Sequence, residues 1–351
     1  MTAMKLAARA GLTVLGFTLA ANVAMADTVT LTVYAGIFQE KYTKAVVEPF
    51  MKANPDITVE LYGTANSAQM LGTLRAQAGS PQIDIAIMDI SVAKAATDEG
   101  IFAPMDDTVT KHLANLYPQA KVEGVNAVGV TFDNLVLLYN TDKVNQVPTS
   151  WNALWDRQYA KQVSIPAVPD IQGTTLTIVT DKMAGGTNYM ESVDAGIKRL
   201  AELAPNVQTW EPRPDAYQPI SSGTAAMGIG WNARAQVYSD LSNGKLGVAL
   251  PQEGSGFQIN VIGLVKGGPA SESAKKFIDY ALSPEAQAAF TEQMFYAPTN
   301  SKAVPLISDQ ALHRTTAGAM DRMIDINWLE VAKIRDAITE QWRRRVIPLS
   351  R

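Results

Sequence analysis

Between residues 28 and 89 strand-like and helix-like stretches alternate without a break, and this alternation restricts the fold more than any other feature of the chain. "TVTLTVYAG" reads as a strand ending in Gly36, and "QEKYTKAVVEPFMKANP" as a helix with Tyr42, Val46 and Phe50 on one face. "ITVELYG" is a second strand, "SAQMLGTLRAQAG" a helix that Ser67 can cap, and "IDIAIMD" a third strand, apolar enough to be buried on both sides. Strands separated by helices pair in parallel, and a parallel sheet needs cover on both faces, so this region predicts an α/β layer structure.

The same grammar continues. "VGVTFDNLVLLYN" reads as a pair of strands, "PTSWNALWD" as a capped short helix, and "QVSIPAV" as a strand. "TTLTIVTDKMA" fits a helix or a strand, whereas "ESVDAGIKRLAELAP" is amphipathic and helical. "AAMGIGW" and "LGVALPQEG" are strands, with the "GSG" at 254–256 read as a turn. "ASESAKKFIDYALSPEAQAAF" holds two helices, the second opening with Ser283 as N-cap and Pro284 at the first helical position. The tail "GAMDRMIDINWLEVAKIRDAITEQWRRR" gives one or two more, its Arg343–Arg345 run reading as a solvated helix end. A chain of 351 residues with this many elements exceeds what one core holds and divides in two.

The first 26 residues read differently. Lys5 and Arg9 precede the apolar run "AGLTVLGFTLAANVAMA", which ends in Ala24-Met25-Ala26, a signature for removal of a secretory leader after Ala26. The run falls short of the ~20 residues a bilayer span requires. No Cys follows it, so no lipid anchor is expected. No later segment is long and apolar enough to cross a membrane. The net charge of −4 becomes more acidic once Lys5 and Arg9 leave, which argues against a nucleic-acid partner. Export would permit disulfides, yet the chain has no Cys, so stability must come from packing.

Ligands of open α/β sheets sit beyond the carboxyl ends of the strands. That rule singles out Tyr34 and Phe38 after the first strand, Ser67 after the second, Asp89 after the third, and Trp231 and Arg234 after "GIGW". Tyr34 and Phe38 flank Gly36 and can form an aromatic wall. Ser67 either opens a helix end to an anion or only caps it. Asp89 either receives an ammonium or caps the helix beginning "SVAKAA". Trp231 either stacks on a ligand or belongs to the core. Arg234 offers a planar fork suited to a carboxylate, with an internal acid as the competing partner.

Reaction chemistry is poorly supplied. The only two histidines, His112 and His313, have no second ligand at metal spacing, so no metal is expected. There is no thiol, no G-x-S-x-G elbow, no phosphate-binding loop and no dinucleotide fingerprint. No carboxylate pair stands out. Binding without turnover fits better than an enzyme, and no cofactor is implied.

The ordered set "PQIDIAIMDISVAKAATDEGIFAPMD", "FDNLVLLYNTDKV", "VPTSWNALWDRQYAKQVSIP", "LPQEGSG", "FIDYALSPEAQAAF" and "FYAPTN" resembles the periplasmic solute-binding proteins of ABC importers, above all the spermidine/putrescine-binding group and its amino-acid-binding relatives. The resemblance spans the chain after the leader. It implies a two-lobed α/β fold of the type 2 periplasmic binding class, each lobe a mostly parallel sheet covered by helices, with a hinge between. Residues 27–137 plus 260–306 would form lobe 1, and 138–259 plus 307–351 lobe 2. It also implies a periplasmic monomer whose partners are a small ligand and the transmembrane permease, which recognises the closed form.

In the polyamine binders of this group an aromatic residue and an Asp, two apart, follow the turn that corresponds to Pro251–Gly254. Here Phe257, Gln258, Ile259 and Asn260 follow, placing amides Gln258 and Asn260 at ligand positions. Tyr296 in "FYAPTN" is the single Tyr where the iron-binding branch has two, so Fe³⁺ is not expected. Gly173-Thr174-Thr175 falls in lobe 2 at a helix start, where Thr174 can meet a ligand. One acid, one base and several rings suggest a γ-amino-acid-like zwitterion reaching from Asp89 to Arg234, with a polyamine close behind and an organic carboxylate as a further alternative. Presentation of the ligand to a chemoreceptor is the alternative to transport.

Overall fold

The computed structural model describes residues 26–318 and 320–350; the leader expected at the start lies outside them apart from Ala26. The first region folds as its periodicity predicts. Strands β1 (Asp27–Tyr34), β2 (Ile57–Thr64) and β3 (Ile85–Asp89) lie in parallel, with β1 in the middle. The first helix is one rod in three parts. Helix α1 (Ile37–Tyr42) passes through a π-helical turn (Thr43–Val47) into α2 (Glu48–Ala53), and Tyr42, Val46 and Phe50 are all buried. Helix α3 (Ser67–Ala76) follows β2 and α4 (Ile90–Asp98) follows β3.

The segment read as two strands is one. Strand β4 (Val128–Asn140) runs for 13 residues, all buried. Its polar pair Asp133-Asn134 resembles a turn in the sequence, but the backbone stays extended because there the strand leaves one sheet and joins another. Up to Asn134 it pairs antiparallel with β9 (Ser255–Leu264), and from Leu135 onward with β7 (Met227–Trp231) and β8 (Leu246–Ala249). Ser255 and Gly256 of the expected turn instead begin β9, leaving only Gly254, at φ +87°, in the turn itself.

The two sheets share an order. Lobe 1 runs β2-β1-β3-β9-β4, and lobe 2 runs β6-β5-β7-β4-β8, where β5 (Val163–Ser164) and β6 (Val207–Thr209) are short and parallel to β7's side. In each, three parallel strands are followed by a long antiparallel one supplied by the other half of the chain. Helices α5 (Ile171–Met183), α6 (Asp194–Leu203), α7 (Gln218–Ser221) and α8 (Asn232–Leu241) belong to lobe 2; the stretch that fitted helix or strand is therefore the helix α5. Helices α9 (Ser271–Ala281) and α10 (Pro284–Met294) return to lobe 1, where β10 (Ala297–Pro298) pairs with β4. After the short α11 (Asp309–Leu312) and β11 (Met323–Ile324), the last helix α12 (Trp328–Arg345) leans on both α4 and α6.

Ser283 caps α10 as read, its Oγ accepting from the Ala286 N–H at 3.2 Å, with Pro284 at the first helical position. Ser283→Ala should therefore cost about 1 kcal/mol of stability, to be measured by urea unfolding. Among the described residues no helix is long and apolar enough to cross a membrane.

Candidate functional site

Because both sheets have the same order, the strand ends of lobe 1 point toward the loops after β5, β6 and β7, and the loop after β2 meets them across one cleft. Its cavity of about 1260 Å³ is walled by Asn66 and Ala68 from lobe 1 and by Asp170, Trp210, Tyr217, Trp231 and Arg234, among others, from lobe 2. Asp89 and Trp231 hold equivalent places: each ends the third strand of its sheet and occupies the N-cap position of the next helix.

On the lobe 1 side Asp89 does not cap α4 with its side chain. Its Oδ2 instead accepts from the Ser67 hydroxyl at 2.8 Å, and Ser67 Oγ in turn accepts from the Asp89 N–H at 3.0 Å. Ser67 is thereby diverted from capping, and Asn66 takes that role, its Oδ1 accepting from the Gln69 N–H at 3.0 Å. The Tyr34 hydroxyl lies 2.9 Å from Ser67 Oγ and donates to Asn260 Oδ1 at 3.1 Å, while Asn260 Nδ2 donates to Thr131 Oγ1 at 3.0 Å. Burial raises the Asp89 carboxyl above the ordinary carboxylate range, opposed by the Ser67 and Tyr34 hydroxyls and by Arg335 of α12, and reinforced by Asp170 from across the cleft.

The floor between the two lobes is the crossing pair β4 and β9, none of whose residues lines the cavity itself. In an antiparallel pair, directly opposed residues share a face. Asn260 stands opposite both Thr131 and Asp89, and Gln258 opposite Asp133, so these groups form a polar ladder on one face, with Phe132, Phe257 and Ile259 on the other. Two residues of strand span about 7 Å, which sets the distance between the Asn260 and Gln258 rungs. Asn260 and Gln258 are thus both nearly buried in the floor.

On the lobe 2 side Trp231 is half-buried, and Arg234 projects from the first turn of α8 into the cavity. Arg234 forms no ion pair within 4.0 Å among the described residues. Burial works to lower its pKa, but the phenols of Tyr217, Tyr296 and Tyr238 and the carboxylate of Asp133 outweigh it and hold the guanidinium above its ordinary value. The internal acid weighed as a competitor for Arg234 is therefore present as a neighbour without forming an ion pair with it. Burial drives the Tyr296 phenol far up, with charges from Asp133, Arg234, Tyr217 and Asp89 all felt there, which sets Tyr296 between the acid of lobe 1 and the base of lobe 2.

Of the expected ligand residues Trp231 and Arg234 line the cavity, and two others are packed into the interior. Phe38 is 0% exposed, stacked on Tyr42 and edge-on to Tyr34, Phe290 and Tyr296. The loop after β1 turns at Gly36 so that α1 packs its apolar side inward, while Tyr34 bonds to Ser67 and Asn260. Thr174 is buried within α5, its hydroxyl bonded to the Asp170 carbonyl at 3.3 Å. The helix start faces the cavity through Asp170, the N-cap, and Gln172.

Several site groups lay outside the expected set. Trp210, Asp215 and Tyr217 lie in "TWEPRPDAY", where β6 is only three residues long and too short to give a periodic signal. The available cue was chain order: a loop after the second strand of lobe 2 has to exist, since lobe 1 has one. Among the described residues no group of three or more His, Asp or Glu gathers in a metal-binding cluster.

A family model described as bacterial extracellular solute-binding protein matches residues 45–316. A gamma-aminobutyric acid-binding protein of Pseudomonas aeruginosa is 24% identical over 298 residues, 82% of this chain and 81% of the relative. A putrescine-binding periplasmic protein of Escherichia coli is 24% identical over 254 residues, 66% of this chain and 68% of the relative. Among solved structures, an ABC transporter substrate-binding protein from Bradyrhizobium japonicum superposes with a TM-score of 0.76 at 20% identity, covering 90% of this chain and 99% of that one.

Proposed function

Because the chain belongs to the bacterial extracellular solute-binding proteins, we propose that it is the periplasmic substrate-binding component of an ABC importer, and that its solute is a small zwitterion of the γ-amino-acid kind. One observation carries this reading: an acid and a base, Asp89 and Arg234, stand at and just past the ends of the third strands of the two sheets, Arg234 lining the cavity and Asp89 feeling the charge of Asp170 from its opposite wall. An ammonium at Asp89 would meet a carboxylate that burial otherwise disfavours. A carboxylate at Arg234 would meet a guanidinium that forms no ion pair within 4.0 Å among the described residues. A ligand holding both ends ties lobe 1 to lobe 2, which is the differential affinity that closure needs. The similarity to a gamma-aminobutyric acid-binding protein points the same way.

A diamine is the second reading. The cavity wall carries Asp170, Glu211 and Asp215 against Arg213 and Arg234, and Asp170 acts on Asp89 from the opposite lobe. A second ammonium would relieve that repulsion. The chain is also similar to a putrescine-binding protein.

Native mass spectrometry of the gently purified protein, followed by thermal-shift screening of γ-aminobutyrate, other amino acids, putrescine, spermidine and plain carboxylates, separates the readings. A ligand at ~100 times its Kd stabilises by ~2.7 kcal/mol and lifts Tm by roughly several degrees. The expected hit is γ-aminobutyrate. A response to diamines alone would move the function to polyamine uptake and leave Arg234 a structural role. Silence across the panel would reject both.

A further inference from the structure

Asp133 is a buried titratable group that ligand binding leaves without a role. It lies on β4 one residue before the strand's last pairing with lobe 1, and is 1% exposed. Its Oδ1 accepts from the N–H of Ala233 at 3.0 Å and of Asn134 at 2.9 Å, while its Oδ2 is buried with no hydrogen-bond partner. The first bond ties the carboxyl to the N-terminal turn of α8, the turn that also bears Arg234. The helix start is thus already occupied by an internal acid, and Arg234's side chain is what remains there for a ligand anion. The groups facing this pair from the surrounding elements are Tyr217 before α7, Tyr238 on α8 and Tyr296 after α10, with Asp89 beyond Tyr296 and Asp215 bonded to Tyr238 at 2.8 Å.

We propose that Asp133 is the proton-carrying counter-charge of Arg234, taking up a proton when a ligand carboxylate reaches that guanidinium and releasing it when the ligand leaves. This rests on the carboxylate-at-Arg234 reading above. An ionised carboxylate with one bare, buried oxygen is disfavoured, and a neutral carboxyl there costs less. The two N–H donors, the α8 terminus and the positive charge of Arg234 favour ionisation. Burial outweighs them and pushes the group up to about 7. A ligand carboxylate cancels Arg234's field and adds a like charge nearby, so the balance tips to the protonated form. Asp133 acts through Arg234 and is a positioning residue in this scheme.

The sign is fixed. At pH 5 Asp133 already holds its proton and binding takes up none. At pH 7 uptake approaches about half a proton per ligand, and it grows at pH 8. Affinity should fall as pH rises, by up to about tenfold per unit above pH 7. Asp89 gives the opposite sign, since an ammonium there drives a proton off.

Isothermal titration of γ-aminobutyrate into the full chain, in two buffers of different ionisation heat at pH 5, 7 and 8, reads the uptake directly. Asp133→Asn keeps an oxygen for the Ala233 N–H and should abolish both the uptake and the pH dependence above pH 6. Uptake that survives in D133N, or binding by the wild type without uptake at pH 8, overturns the proposal. A ligand-free arm follows the Asp133 carboxyl by ¹³C NMR, its signal assigned by its loss in D133N. Arg234→Gln should raise the midpoint by a unit or more, and an unmoved midpoint overturns the proposal whatever the ligand. If γ-aminobutyrate fails to bind while the midpoint moves, the coupling stands and the reading of the ligand falls.

Discussion

Replacing Arg234 with Gln is expected to weaken γ-aminobutyrate binding about 100-fold, with putrescine binding unchanged or slightly tighter. Charge-assisted hydrogen bonds contribute about 1.5–3 kcal/mol, and a hundredfold loss corresponds to ~2.7 kcal/mol. The size follows from what Arg234 lacks: it forms no ion pair within 4.0 Å among the described residues, and Asp133 acts on it only from beyond that distance, so a ligand carboxylate would be its first direct anionic partner. Arg234→Lys should recover only part of the loss, because a point charge cannot offer two parallel N–H donors to one carboxylate. Calorimetry on the variants with both ligands decides the matter. A change within twofold for γ-aminobutyrate would remove the carboxylate from this end of the cleft.

Phe38→Ala is expected to act in the opposite manner, with a large loss of stability and little change in affinity. The ring touches Tyr34, Tyr42, Phe290 and Tyr296 and is wholly enclosed by them. Truncating such a ring costs about 3–5 kcal/mol in lost transfer energy and cavity formation, which should lower Tm by roughly 10 °C. Measured at a temperature where the variant is folded, its γ-aminobutyrate affinity should match the wild type. Loss of affinity at unchanged Tm would return Phe38 to the cleft wall.

Phe38 also shows where reading by sequence stops. The rule that ligands gather beyond strand ends pointed to Trp231 and Arg234, which line the cavity, and to Tyr34, Ser67 and Asp89, which bond to one another beside it. The rule names a loop, however, and not a direction. Tyr34 ends a strand and Phe38 begins a helix, so their side chains part ways although only four residues separate them. Ser67 and Asn66 are adjacent cap formers, and only the Asp89 carboxylate, 22 residues away, decides which one caps. Thr174 was placed at a helix start, but the first helical turn exposes Asp170 and Gln172 and turns Thr174 inward. The long strand β4 was misread for a different reason. Polar residues inside an apolar run normally mark a turn, whereas here they mark a change of partner, which depends on chain hundreds of atoms away.

That change of partner has a consequence for how the molecule is made. Lobe 1 completes its sheet with β9, which joins β3 across more than half the length of the lobe-forming chain, and lobe 2 completes its own with β4, laid down before any other part of that lobe. A nascent chain halted before Leu264 therefore has neither a finished first sheet nor an intact floor between the lobes. Pairings this distant in sequence are slow to form, because a long loop must close before any contact rewards it. A polypeptide emerging from the ribosome would thus remain unfinished until late in its synthesis. An unfinished chain can be threaded through a narrow channel and acquire its final shape on the far side.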